Sequence, residues 1–164
     1  MDGISAAASI ITLVQISGQI INLCRTYYSE VRDASTCIQR LHEEITSLQN
    51  VLTKVADLPN APDSAELSTL DLLNQPDGPA QQCLTELITL AAKLNQGQGK
   101  DTMKQFGLRG LKWPFSSKEI GRAITAIGRH KATFNLALAA DQMHAEPFPS
   151  VSLLWDLFTT LEYC

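Results

Sequence analysis

The sequence predicts an all-α protein, a bundle of four main amphipathic helices. Several long stretches repeat apolar residues at steps of three and four, the period of a helix that is buried on one face. No stretch shows the sustained alternation of apolar and polar residues that a half-buried strand would show. Of the 164 residues, 45% are hydrophobic but only 6% are aromatic, so aliphatic side chains must fill most of the core. Such a composition suits helices packed on helices.

The first predicted helix runs from residue 3 to about residue 28, and residues 3–24 carry no charge. This run is long enough to span a membrane, but it contains several Gln and Asn side chains, which are costly in hydrocarbon. We therefore expect a helix of the bundle. Conditional insertion into a membrane stays open as an alternative, because small residues such as Gly3, Ala7 and Gly18 permit close approach between helices. The predicted apolar face consists of Ile10, Leu13, Val14, Ile20, Ile21 and Cys24.

The second helix is predicted to begin at Ser35, a favourable N-cap residue. Its apolar residues follow at alternating steps of three and four, as in a helix that packs along a parallel or antiparallel neighbour. These residues are Ile38, Leu41, Ile45, Leu48, Leu52 and Val55. The charged residues of the other face are Arg40, Glu43, Glu44 and Lys54. We interpret the run His42-Glu43-Glu44 as a solvated part of this helix, since neighbouring residues on a helix point in different directions.

A loop is predicted over residues 57–79, which hold four prolines and five acidic residues, with at most one short helix over residues 64–73. Pro79 is suited to open the third helix as its first residue. Gly97 and Gly99 are suited to close it. The predicted apolar stripe of this helix consists of Leu84, Leu87, Ile88, Ala91 and Leu94.

The fourth helix is predicted to start at a capping box, in which Ser116 is followed three residues later by Glu119. Its seam consists of Ile120, Ile124, Ile127, Lys131, Phe134, Leu138 and Asp141. We assign residues 1–146 to the bundle domain and residues 147–164 to a C-terminal tail. The tail has the spacing of a short amphipathic helix, carried by Leu153, Leu154, Leu157, Phe158 and Leu161.

No catalytic, cofactor-binding or metal-binding motif is found, so we predict a protein that is not an enzyme and binds no cofactor or metal. The three histidines, His42, His130 and His144, are far apart in the chain. The four cysteines form no CxxC pair and no basic signal segment opens the chain, which indicates reduced thiols in a cytoplasmic protein. Residues 107–110 form a GxxG pattern, but GxxG loops bind nucleic acid in folds that contain strands, and no strand is predicted here. Together with a net charge of −4, this makes nucleic acid an unfavoured partner.

Positive charge is concentrated in one segment, because residues 100–131 hold 8 of the 13 Lys and Arg residues. Basic side chains there are interleaved with Trp and Phe. This arrangement suits a membrane interface, and it equally suits a loop held on the bundle by its aromatic rings. We favour the held loop and keep contact with a membrane or a partner as the alternative. The candidate contact residues are Lys104, Arg109, Lys112, Trp113, Phe115 and Lys118.

Three parts of the sequence resemble one known domain family of filamentous fungi. The start of its helical domain resembles MDGISAAASIITLVQISGQIINLCRTYYSEVRDA, and its second helix resembles IQRLHEEITSLQNVL. The end of the domain resembles LKWPFSSKEI and IGRHKATFNLALAADQ. This domain stands at the N-terminus of STAND-type NACHT and ankyrin-repeat proteins and is also the azaphilone pigment biosynthesis cluster protein L N-terminal domain family. The resemblance spans about residues 1–142.

The resemblance implies a bundle similar in style to the HeLo-like domains of fungal cell-death proteins, whose N-terminal helix is thought to act at membranes. It carries no catalytic residue across. Because no NTPase domain or repeat array follows residue 142 in the sequence, we expect the stand-alone form. The expected function is a non-enzymatic interaction module, an accessory protein of an azaphilone-type polyketide pigment cluster, with a protein partner or self-association. The alternative is a membrane-acting cell-death or signalling domain that is peripheral at membranes.

Overall fold

The computed structural model describes residues 3–30, 35–58, 72–97 and 113–145. These ranges contain helices and no strand, which confirms the predicted all-α fold. The predicted C-terminal tail and nearly all of the predicted short helix over residues 64–73 lie outside them. The helices are α1 (Gly3–Glu30), α2 (Ser35–Asp57), α3 (Pro79–Gln96) and α4 (Ser117–Ala145).

The four helices surround one core in the order α1, α2, α4, α3, so that α1 and α3 are neighbours. The C-terminal ends of α1 and α3 meet, because the hydroxyl of Tyr27 donates a hydrogen bond of 2.6 Å to the carbonyl oxygen of Leu94. Along the α1–α2 interface, the side-chain amide of Gln49 donates to the carbonyl oxygen of Val14 at 3.1 Å. Helix α4 runs antiparallel to α3 and also packs against α2.

The predicted seams of α1, α2 and α4 form most of the core. All six seam residues of α2 are fully buried, and so are Ile10 and Leu13 of α1. Val14 and Ile124 are half-buried at the edges of the seams. Each fully buried Ile or Leu stabilises the fold by about 1.5–3 kcal/mol relative to its exposed state. The seam predictions are therefore confirmed as far as Leu138, while the side chain of Asp141 lies outside the described part.

The predicted stripe of α3 is partly wrong. Ile88 is 49% exposed and Leu84 is half-buried, whereas Cys83 and Leu90 are buried. The helix carries two overlapping apolar stripes, and the one that contains the cysteine faces the core. The physical reason is that a free thiol packs like a small hydrophobic group, so Cys83 shares the core face with Leu90 on the side that meets α4.

The ends of α3 agree only in part with the prediction. Pro79 lies in its first turn, as expected. Before it, Gly78 approaches the backbone so closely that an added Cβ would lie 2.8 Å from the carbonyl oxygen of Gln75, and only glycine fits there. Gly97 follows the last residue with a φ of −66°, so the helix ends without the left-handed cap that a glycine often provides.

Candidate functional site

The candidate contact residues fall into two groups. Lys104, Arg109 and Lys112 lie outside the described residues. Trp113 and Phe115 are half-buried just before α4, and Lys118 is exposed on its first turn. The structure therefore brings the two aromatic rings together and leaves Lys118 in solvent.

Trp113 and Phe115 belong to an aromatic cluster at the end of the bundle where α1 and α3 finish and α4 begins. The Trp113 ring meets the ring of Tyr27 edge-on, with centroids 5.3 Å apart and an interplanar angle of 82°. Phe115 follows at 5.3 Å with a tilt of 55°. Such aromatic pairs contribute about 0.5–1.5 kcal/mol each beyond their buried area. Both rings pack against the core, as predicted. Residues 100–112 of the connector lie outside the described part, so the held loop stays a prediction.

Glu119 is the polar centre of the same end of the bundle. Its carboxylate accepts a hydrogen bond of 2.8 Å from the backbone N–H of Ser116, and its own N–H donates to the Ser116 hydroxyl at 3.3 Å, so the predicted capping box is confirmed. Lys93 of α3 reaches across to pair with the same carboxylate and stands 4.9 Å from the Phe115 ring centroid. The hydrogen bond from Lys93, followed by those from Ser116, lowers the pKa of Glu119 to about 2. The sequence predicted the cap but not the lysine from another helix.

A small groove of about 30 Å³ opens between α3 and α4. Cys83, Glu86 and His130 line it among apolar side chains, and the His130 Nε2 lies 3.0 Å from a carboxylate oxygen of Glu86. A thiol, an imidazole and a carboxylate are the groups of nucleophilic catalysis. Here burial, and to a lesser extent Glu86, raises the pKa of the Cys83 thiol to about 12. The thiol is therefore protonated near neutral pH, while a nucleophilic cysteine needs the thiolate.

The groove is also small for a ligand, since its volume suffices for only a few water molecules. Within the described residues, no group of His, Cys, Asp and Glu side chains is arranged to hold a metal ion. At this groove the contact between His130 and Glu86 links α3 to α4. We therefore interpret these side chains as a structural contact between the two helices.

The predicted solvated run on α2 is wrong for two of its three residues. Glu44 is only 24% exposed and pairs with Lys131 of α4 at 2.5 Å. His42 is half-buried, and its Nε2 is buried without a partner among the described residues. Only Glu43 is exposed as predicted. The reason is that α4 packs over this side of α2, and Lys131, a polar residue within the apolar seam of α4, needs a buried anion.

The outward sides of α1, over residues 8–24, and of α3 share an unusual feature, which is that the only exposed charge there is Glu86, and it pairs with α4. Arg25, the next residue of α1, is exposed and marks the edge of this surface. The exposed residues of α1 between positions 8 and 24 are Ala8, Ile11, Thr12, Gln15, Gln19 and Asn22. On α3, the exposed uncharged residues are Gln81, Gln82, Thr85, Ile88, Thr89, Ala92, Asn95 and Gln96. The two charged residues of α3, Glu86 and Lys93, both pair with α4. We call this two-helix surface the uncharged face.

The other side of the bundle contrasts with the uncharged face. The exposed charged residues of α2 and α4 include Arg40, Glu43, Lys54, Lys118, Arg122 and Arg129. The sequence showed the lack of charge over residues 3–24 of the first helix. That α1 lies beside α3, whose own charges turn away toward α4, became visible only in the structure.

In the described part of the chain, no helix is both long enough and apolar enough to cross a bilayer. Comparison with models of protein families finds a match over residues 1–153 to the family described as pigment biosynthesis cluster protein PigL N-terminal. The matched range includes all four helices. No curated protein and no solved structure matches the chain.

Proposed function

Because the chain belongs to the PigL N-terminal family of pigment biosynthesis cluster proteins, we propose that it is a non-enzymatic interaction module of such a cluster. In this role it is an accessory protein of fungal, azaphilone-type polyketide pigment formation and carries out no catalytic step itself. It acts in the cytoplasm by binding a protein partner.

The observation that carries this proposal is the uncharged face. Charged side chains are depleted from the centres of protein interfaces, whereas the rest of a protein surface is normally rich in them. One large apolar residue from each helix remains about half exposed there, since Ile11 and Ile88 are each 49% exposed. Covering a surface of this kind avoids the large cost of desolvating charged groups, while its amides can pair with polar groups of the partner.

The threonine hydroxyl groups of this face use their hydrogen-bond donors within their own helices. The hydroxyl groups of Thr12, Thr85 and Thr89 each donate to the backbone carbonyl four residues earlier, at 2.8–3.0 Å. These hydroxyls are already satisfied within their own helix and do not require an outside partner. A partner that covers these threonine hydroxyls therefore leaves none of their O–H donors unpaired.

Two lysine–carboxylate pairs and the contact of His130 with Glu86 each link two different helices, which supports a structural use of these groups. The pairs are Lys93 with Glu119, His130 with Glu86, and Lys131 with Glu44.

Lysine substitutions with a matched control test the proposal. We expect Thr12→Lys with Thr85→Lys to abolish pigment formation in the producing organism, because two charges enter the uncharged face. The control, Thr53→Lys with Thr125→Lys, changes two exposed threonines of α2 and α4 that make the same hydrogen bond within their helices. It should leave pigment formation intact, and circular dichroism should show that both variants fold.

Two results would contradict the proposal. Equal pigment yields from the two variants would show that the uncharged face is not needed for pigment formation. Conversion of a polyketide intermediate by the purified protein alone would show that the protein is an enzyme. Both measurements use the full chain.

The membrane-acting alternative is motivated by the charge-free stretch of α1 over residues 3–24. Its apolar side, which includes Ile10 and Leu13, is buried in the core, so α1 would have to leave the bundle before inserting. Flotation with vesicles of anionic lipid, combined with a leakage assay, distinguishes the two functions. Binding with leakage would favour the membrane function, and absence of both would favour the interaction module.

A further inference from the structure

We propose that the uncharged face binds a second copy of this chain and forms a weak dimer with two-fold symmetry. This inference rests on the proposed function, which makes the face a surface for binding protein. In a two-fold interface the same surface of each copy meets itself, so the surface must be complementary to itself.

The amide side chains of the face meet this requirement. Gln15, Gln19, Asn22 and Gln81 are all exposed on it. Each amide has both hydrogen-bond donors and an acceptor, so amides from two identical surfaces can pair with one another. A lysine-rich or glutamate-rich surface would instead face its own charge, which opposes association.

The net charge of the chain also favours association of two copies through the uncharged face. Two copies with a net charge of −4 each repel one another. The charged sides of α2 and α4 would bring like charges close together in some orientations. The uncharged face is the side on which two copies approach with the least electrostatic cost.

An apolar strip lies along the groove between α1 and α3, within this face. Ile16 and Leu23 of α1 are half-buried and in helical register with Tyr27, the residue that contacts α3. Leu84 and Ile88 of α3 lie on the flank opposite its ion pairs with α4. Within the strip Ile88 is 49% exposed, and the same face carries exposed amides, a combination that suits an interface with an apolar core and a polar rim.

The dimensions of the face limit the strength of the dimer. From Ala8 to Asn22, α1 is about 21 Å long at 1.5 Å per residue, and two adjacent helices are about 20 Å wide. The projected area is thus about 400 Å² for each copy and about 800 Å² for the dimer. This is below the size of stable interfaces, which bury about 1,200–2,000 Å², and it is typical of weak, transient ones. Association is therefore expected only at high protein concentration.

Sedimentation equilibrium of the full chain, from about 5 to about 500 µM, tests this inference over the range expected for a weak interface. We expect the wild type to dimerise with increasing concentration. The double variant Gln19→Lys with Ile88→Lys should weaken dimerisation at least about tenfold, because four like charges enter the interface. The control, Gln39→Lys with Leu136→Lys, changes one exposed amide and one exposed apolar residue on α2 and α4 and should dimerise like the wild type.

A charge-reversal experiment separates loss of the interface from loss of the fold. The double variant Gln19→Glu with Ile88→Glu should also be monomeric alone, but an equimolar mixture with the lysine variant should form a heterodimer. A wild type that is monomeric throughout the range, or a lysine variant that dimerises unchanged, overturns the inference. If the wild type is monomeric while lysines on the face still abolish pigment formation, self-association fails and the proposed function stands. Turnover by the purified protein contradicts the proposed function whatever its oligomeric state.

Discussion

Ile10 and Ile11 are adjacent residues of α1 with identical side chains, but Ile10 is fully buried and Ile11 is 49% exposed. An aspartate at position 10 places a carboxylate in the core, whereas an aspartate at position 11 places it in water. We expect Ile10→Asp to unfold the protein at neutral pH and Ile11→Asp to leave it folded.

The size of the effect at Ile10 follows from two contributions. Loss of the buried isoleucine removes about 1.5–3 kcal/mol of hydrophobic stabilisation. Burial also raises the pKa of the new carboxyl group by about 3 units, and at 1.36 kcal/mol per unit this costs about 4 kcal/mol at pH 7. The sum of about 5.5–7 kcal/mol is as large as the total stability of many domains, which is about 5–15 kcal/mol.

The pH dependence of the Ile10→Asp variant has a defined sign. Its carboxyl pKa is higher in the folded state than in the unfolded state, so the folded state binds more protons and the free energy of unfolding falls as pH rises. The destabilisation should be smallest below about pH 4 and largest near pH 7 and above. Circular dichroism melts at both pH values measure it, with Ile11→Asp as the matched control. A variant at Ile10 that melts like the wild type would show that α1 is not held in the core and would favour a releasable helix.

Three further substitutions or modifications test individual contacts. Tyr27→Phe removes the only hydrogen-bond donor shown for the buried carbonyl of Leu94 among the described residues, so the free energy of unfolding should fall by about 1–2 kcal/mol; an unchanged urea midpoint would contradict this. Cys83 is buried with its pKa raised to about 12, whereas Cys37 is half-buried, so iodoacetamide should label Cys37 before Cys83 in the native protein. Mass spectrometry measures the order of labelling, and labelling of Cys83 first would contradict this prediction. The pKa of Glu119 is lowered from 4.5 to about 2, so its contribution to stability is complete above about pH 4.5 and is lost as pH falls toward 2. Glu119→Gln should flatten this acid part of the stability curve, and identical curves for variant and wild type would refute the role of that carboxylate.

Local sequence patterns were sufficient for the helices and for the start of α4. The seam of α2 could be read from spacing because a helix repeats every 3.6 residues whatever its neighbours are. The capping box of Ser116 and Glu119 involves residues three apart on one chain segment, so its geometry depends only on the local backbone. These predictions agree with the structure for this reason.

Contacts between helices were beyond what local spacing reveals. Glu44 and Lys131 are 87 residues apart, and only the packing of α4 on α2 brings them together. For α3, spacing allowed two apolar stripes, and the position of α4 decided that Cys83 faces inward while Ile88 faces outward. Each of these outcomes depends on a neighbouring helix that is distant in sequence.

The candidate functional surface combines both kinds of information. The sequence by itself determined that residues 3–24 of the first helix lack charge, that four amphipathic helices form, and that Trp113 and Phe115 lie next to a helix start. Only the tertiary structure decided that α1 and α3 are neighbours and that the charges of α3 turn toward α4. Helical periodicity is a property of the local backbone, whereas the choice of neighbours minimises the free energy of the whole core, and this choice created the uncharged face.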